Sequence, residues 1–390
     1  MEQRMETILF ASLRSAIRGD KLTDAECACF LEEQLPSLFA IAKKHDVLHL
    51  LFVALKQNGL LREEYPEAEK ALFSAMFRYE QLDYEYRELC EAFEAAEIPF
   101  VPLKGSILRA YYPEAWMRTS CDVDVLVRRD DLERAIAYLV QKLKYKETER
   151  GTHDVSLFST TGGHVELHFD LVEEEYAQNA IDVLRAVWED VTPCENRRYQ
   201  CKMSDAFFYF YHIAHMAKHF ENGGSGIRSF IDLWILEGLE GADAQKRDAL
   251  LEKGGLLTFA SHARRLCRMW FEGEEHDALL LQMQRFLLHG GVYGTSDSRV
   301  ALRQKKRGGK FGYLISRIFI PFAKLKRYYP ILEKHPWLMP AMQVRRWFML
   351  FKPDVAKMAR AELAANRTMS QKTADKMATF LDDVGLGQRQ

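Results

Sequence analysis

The chain has 390 residues, 48% of them hydrophobic and 28% charged, with a formal net charge of -2 at neutral pH. That is an ordinary globular composition with room for two or three domains, and its balance excludes a polyanion binder working through overall charge. The charge is uneven, however: Arg299 to Lys352 holds fourteen Lys or Arg and one acid, Glu333.

Residues 1–95 read as a helical N-terminal region. ETILFASLRSAI, DAECACFLEEQL, SLFAIAKKHDVLHLLFVALKQ and EAEKALFSAMFRYEQLDYEYRELCEAFEAA carry apolar residues three and four apart. Asp24 and Ser37 are read as N-caps, and Pro36 and Pro66 as breaks between helices. The seven cysteines are odd in number and include no CxxC pair, which fits thiols in a reducing compartment. The N-terminus carries acids ahead of any apolar core, unlike a signal peptide, and no run approaches the ~18 apolar residues of a membrane span. A cytoplasmic protein is expected.

The pattern changes at Ile98. IPFVPL reads as a short strand ended by Gly105, and SILRAYY as the start of a helix. CDVDVLV alternates with period two, and RDDLERAIAYLVQKL returns to helical spacing. YKETER, HDVSLFST and HVELHFDL read as further strands, the last two joined through Gly162-Gly163. VLRAVWEDV is helical, and NRRYQCKM is expected as a final strand. Residues 96–203 thus form a mixed α/β unit. In residues 204–390 helix dominates again: DAFFYFYHIAHMAKHF, a loop ENGGSG, IRSFIDLWILEGL, a basic loop RQKKRGGK and a helix starting near Pro353. The expected fold class is α+β, a mixed sheet with helices mainly on one face, flanked by helical regions.

Within CDVDVLV, Asp122 and Asp124 share one face of the strand, and Val123, Val125 and Val127 the other. Aspartates are depleted in strands, and two with Cα atoms roughly 6–7 Å apart repel. A hard cation such as Mg²⁺, which takes oxygen ligands, would reverse that repulsion. The plainer reading is a strand end facing water. The flanks favour the cation. Gly105-Ser106 sits at a strand-to-helix turn, where free N–H groups suit phosphate. Lys104 and Arg118 add positive charge. HVELHFDL places a third carboxylate, Glu166, on one face with His164, His168 and Asp170, against Val165, Leu167 and Phe169.

Strand–Gly-Ser–helix, DxD on a strand and a further acid on a later strand make the chain resemble the DNA polymerase β-like nucleotidyltransferases. Within them it looks like the bacterial group of uncharacterised nucleotidyltransferases. The resemblance rests on LKG…YYPEAWMRTSCDVDVLV, VELHFDL and HIAHMAKHF…GSGIRSFIDLWIL, roughly residues 96–235, and more loosely on 311–346. It implies that Asp122, Asp124 and Glu166 are catalytic and hold two Mg²⁺ ions, with Glu166 also a candidate general base. Most of the superfamily has Asp at that place. Gly105 and Ser106 would cradle phosphates, and Lys104, Arg118, His215, Lys218, His219 and Arg228 would bind the nucleotide. The implied reaction moves a nucleoside monophosphate from an NTP, with ATP the first choice, to a hydroxyl acceptor on a small molecule or protein. The stretch between Ser106 and Asp122 is long for the superfamily. Its Tyr111, Tyr112 and Trp116 either wall the pocket or merely pack the loop.

His212, His215 and His219 lie on one helix face. They read as a transition-metal site, a phosphate-facing stripe beside Lys218, or core histidines. Arg228 and Asp232, four apart, read either as a surface ion pair or as a loop presenting Arg228 to the cleft, and the cleft is preferred. The basic segment 299–352 reads first as a solvated helical face, and neither a nucleic-acid nor a membrane partner is expected. A catalytically inactive nucleotide-binding or adaptor protein is the rival class, and a metal-dependent phosphodiesterase the third.

Overall fold

Spacing at three and four along the first 95 residues is realised as helices Glu2–Arg18, Leu35–Lys44, Leu48–Gln57 and Pro66–Ala95. The computed structural model describes residues 2–172, 178–221 and 224–291, and from the C-terminal part 309–322, 325–326, 329, 331–348, 356, 360, 366–367 and 371–387. Pro36 and Pro66 open helices, where a missing N–H costs nothing. Two expected caps differ. Thr23, not Asp24, caps the short helix Asp24–Cys27, because only Thr23 has Glu26 three residues on to complete a reciprocal capping box. Ser37 lies inside the helix that Leu35 begins. The expected continuous helix from Ser37 to Gln57 is broken at Asp46, whose φ of 56° turns the chain before Leu48.

The α/β unit is a five-stranded mixed sheet in the order β1 (Phe100–Pro102), β2 (Val123–Val127), β5 (His164–His168), β4 (Asp154–Phe158), β3 (Lys146–Arg150). Only β2 and β5 are parallel. One face of the sheet is a dry layer: Val123, Val125, Val127, Val155, Leu157, Val165 and Leu167. It packs on Leu82, Leu89 and Phe93 of the long helix Pro66–Ala95 and on Leu132, Ile136 and Leu139 of helix Leu132–Lys142. Fully burying each such side chain stabilises by about 1.5–3 kcal/mol, so this face fixes which way the alternate residues point. A second, larger core runs from the N-terminal helices through Val101, Leu103 and Leu126 to the helices after residue 204.

The expected last strand does not join this sheet. β7 (Cys201–Lys202) pairs only with β6 (Thr192–Pro193), and a single bridge ties Gln200 to Phe100. Backbone N–H groups that a ladder would need are taken by the Glu94 carboxylate, which accepts from Arg198, Tyr199 and Gln200. Much of the expected basic loop, and most of the helix expected near Pro353, lie outside the described residues. No described helix is long and apolar enough to cross a membrane.

The β4–β5 hairpin is anchored to the long helix by one buried acid. Glu85 accepts hydrogen bonds from the hydroxyls of Tyr145, Ser159 (2.6 Å) and Thr161 (2.5 Å). Gly163 makes the approach possible, since a Cβ there would lie 2.4 Å from the Glu85 carboxyl carbon. Glu85→Ala strands three hydroxyl donors and loosens the hairpin that carries β5. A loss of about 2–4 kcal/mol in urea unfolding is expected. A change under about 0.5 kcal/mol, the range of an ordinary surface substitution, would show that the hairpin stands without it.

Candidate active site

Parallel pairing of β2 with β5 sets the geometry of the site. Its register places Asp124 opposite Glu166 and Val123 opposite Val165. Because the valines are locked into the dry layer, Asp122, Asp124 and Glu166 emerge together on the opposite face. His164 and His168 flank Glu166 on that face. Ligand atoms of Asp122, His164 and Glu166 lie within 4.8 Å of one another, and so do those of Asp124, Glu166 and His168.

Positive charge is built in beside the acids. Lys104 Nζ donates to Asp124 Oδ1 at 3.0 Å, and His168 Nε2–H donates to the same oxygen at 2.9 Å. Burial pushes the Asp124 carboxyl up, but Lys104 and His168 outweigh it and hold the group far below the usual carboxylate range. Burial works against the Lys104 ammonium too, and Asp124 keeps its pKa well above the ordinary value. Asp122 fares differently. Burial, then the charges of Asp124 and Glu166, push it up to about 6.

A cleft opens on this cluster. Its floor is Lys104, Gly105, Ser120, Asp122 and Asp124. Its roof is the helix Asp205–Glu221, which presents Phe208, Tyr211, His212, His215 and His219 at helical spacing. Gly226, Arg228 and Ser229, at the start of helix Ile227–Glu237, close one side. Gly105 brings backbone to the floor: a Cβ there would sit 3.2 Å from Ser120 and 3.4 Å from the Arg118 guanidinium. Residues 32–272, more than half of the chain, match the family described as "Uncharacterised nucleotidyltransferase". The chain belongs to this nucleotidyltransferase family. No curated protein and no solved structure matches it. The enzyme is a transferase, and its class takes an NTP as substrate.

Of the residues expected at the nucleotidyltransferase site, Lys104, Gly105, Arg118, Asp122, Asp124, His215, His219 and Arg228 line the cleft. Glu166 joins through the acid cluster. Ser106 does not line the cleft, and its Oγ is buried without a hydrogen-bond partner among the described residues. Lys218 lies beside the cleft wall, where burial and the Lys104 charge push its pKa down to about 8. The histidines are neutral: burial and Lys218 hold His219 at about 4, and burial and His219 hold His215 well below its ordinary value. Their Nε2 atoms pair at 3.1 Å, and His212 Nε2–H donates to the Ser229 carbonyl at 3.1 Å. Among the described residues, the histidine helix provides no metal-holding group.

Arg228 faces the cleft, and the ion pair that was its alternative is not formed. Asp232 pairs not with Arg228 but with Arg118, which reaches it through Nε and a terminal nitrogen at 2.9–3.1 Å. The Tyr112 hydroxyl also donates to Asp232, at 2.7 Å. The 106–122 stretch therefore packs as a clamp, and of its aromatics Tyr112 is buried while Tyr111 faces solvent. Arg228 instead donates to Asp46 (2.6 Å) and to the Thr119 carbonyl (3.0 Å). Asp46, from the broken helix of the N-terminal region, gave no sequence signal. His164 and His168 did, through the alternation that placed them with Glu166.

This electrostatics has two testable consequences. Arg118→Met leaves Asp232 charged and buried, with an expected cost of about 3–5 kcal/mol. Arg118→Met with Asp232→Leu should recover most of that loss in chemical denaturation. No recovery would mean that the guanidinium matters through another contact. Asp122 has a folded pKa of about 6 against an ordinary 3.8. Its strain is therefore fully present above pH 6 and is relieved as pH falls through 6. A cation between the carboxylates removes the same strain, so Mn²⁺ should raise Tm more at pH 7.5 than at pH 5. Asp122→Asn should flatten that difference. A gain independent of pH would disconnect Asp122 from the ion.

Proposed function

We propose that the protein transfers a nucleoside monophosphate from an NTP, with ATP the first candidate, to a hydroxyl group in a Mg²⁺-dependent reaction. The observation that carries this reading is the convergence of Asp122, Asp124 and Glu166 from two adjacent strands beneath a cleft with a glycine turn. The donor sets fit the ion: Glu166 stands with Asp122 on one side and with Asp124 on the other, each pair offering hard carboxylate oxygens beside a histidine, and Asp124 stays ionised. Asp122 and Glu166, with His164 beside them, would hold it, and when bound it neutralises the triphosphate and polarises the reacting oxygens.

The chain's own groups account for the remaining steps. Lys104 and Arg228 draw the polyphosphate into the cleft, and the Gly105 backbone allows its close approach. The acceptor oxygen attacks the α-phosphorus in line as the bond to the β-phosphate bridging oxygen breaks. Pyrophosphate leaves with that oxygen's electron pair. Glu166, half-buried beside Asp124, takes the acceptor's proton. The neutral pair His215–His219 offers hydrogen bonds without added charge, which suits an uncharged acceptor such as a sugar or a side-chain hydroxyl.

One observation favours a second reading, a nucleotide-binding adaptor without turnover. Asp124 is already satisfied by Lys104 and His168, so part of the acid cluster can rest without an ion. Pyrophosphate release from α-labelled ATP, with Mg²⁺ and a panel of sugar, aminoglycoside and protein hydroxyl acceptors, separates the two. Labelled product is expected, with a drop of about 100-fold or more in Asp122→Asn, the scale of losing electrostatic support at a reacting phosphate. Mg²⁺-dependent ATP binding without pyrophosphate would favour the adaptor, and equal labelling by both proteins would rule out the mechanism.

A further inference from the structure

The charge already inside the acid cluster bears on how many ions it accepts. Lys104 sits at the second position of the turn Leu103–Ser106, closed by the Ser106 N–H donating to the Leu103 carbonyl at 3.1 Å. Its φ of 41° and ψ of -115° are those of a type II′ turn, a place ordinarily filled by glycine. Keeping a lysine there strains the backbone, and such strain persists where the surroundings hold it. The restraint is visible: the turn aims the ammonium at Asp124 Oδ1, and the His168 ring converges on the same oxygen while standing 3.6 Å from Glu166 Oε2. A divalent ion on the Asp124 side would meet a fixed ammonium at contact distance inside a buried site, with little water to screen the repulsion. The opposite side differs. Asp122 and Glu166 have no direct Lys or Arg partner among the described residues, and His164 adds a ring nitrogen within 4.8 Å of both.

We propose that the site takes one divalent ion, held by Asp122 and Glu166, and that the Lys104 ammonium fixed on Asp124 stands in for the second. This rests on the nucleotidyltransferase reading above and revises the two ions that the resemblance implies. Lys104 is then a resident cation of the cluster as well as a neighbour of the bound phosphates.

Counting ions tests it without reference to turnover. Metal-free protein, with one equivalent of α,β-methylene-ATP, is titrated with Mn²⁺ at pH 7.5, and free Mn²⁺ is read by electron paramagnetic resonance. One Mn²⁺ per chain is expected for the wild type and for Lys104→Arg, and two for Lys104→Met and Lys104→Gly. The glycine variant also relieves the turn, so it should melt no lower than the methionine variant and keeps the comparison available if the latter folds poorly. Two ions in the wild type overturn the proposal and leave the nucleotidyltransferase reading standing. One ion in the folded Met or Gly variant also overturns it, because the lysine then excludes nothing. No ion in the wild type removes the carboxylate site on which both depend.

Discussion

Asp122 and Asp124 each stand within 4.8 Å of Glu166, and acids so close stay charged only if positive charge is fixed among them. In this protein the charge is Lys104 and His168, both on one oxygen of Asp124. Without them burial would push Asp124 towards protonation, and the cluster would lose its fixed negative charge. Asp122 shows the effect of more distant support: burial, then the charges of Asp124 and Glu166, push it up to about 6. The cluster is thus divided into a half held ionised and a half poised to take up a proton.

That division needs a rigid frame, since a one-residue slip of β5 would turn Glu166 into the dry layer and a leucine or valine into the site. Three devices hold the frame. Valines and leucines of the sheet are locked under helices Pro66–Ala95 and Leu132–Lys142. Glu85 pins the β4–β5 hairpin to the first of those helices. The Arg118–Asp232–Tyr112 clamp ties the loop before β2 to helix Ile227–Glu237, so the floor and one wall of the cleft move together. Buried ion pairs of this kind add little net stability but strongly penalise a wrong arrangement, which is what a site of like charges needs.

How much of this was legible in the sequence depends on the range of the interactions. Period-two alternation in CDVDVLV and HVELHFDL gave the strands, the shared face of Asp122 and Asp124, and the company of Glu166 with His164 and His168. Helical spacing gave the cleft-facing histidines. Contacts between distant segments were not legible. Arg228 and Asp232, four apart, invite an ion pair, yet Arg118, 114 residues before Asp232, takes the aspartate. NRRYQCKM has strand composition, but Glu94 captures its N–H groups. The charge state of the histidines was hidden as well, because it depends on burial and on Lys104 from a distant turn.

The N-terminal region is part of the site's frame. His49 Nε2–H donates to the Met117 carbonyl at 2.9 Å, Asp46 accepts from Thr119 and Arg228, and His45 Nδ1 accepts from the Ile227 N–H at 3.3 Å. These four contacts come from His45, Asp46 and His49, at and just after the turn at Asp46, where the helical spacing of the sequence promised continuity. They hold the two segments that flank the cleft, the loop before β2 and the first turn of helix Ile227–Glu237. His45 is buried and kept neutral by burial, down to about 4, so this joint stays intact across the neutral range and must take up charge only in acid. The acid cluster sits on the sheet, but the cleft over it is framed by helices from before and after it in the chain. The shape of the cleft therefore depends on tertiary contacts that no short motif records.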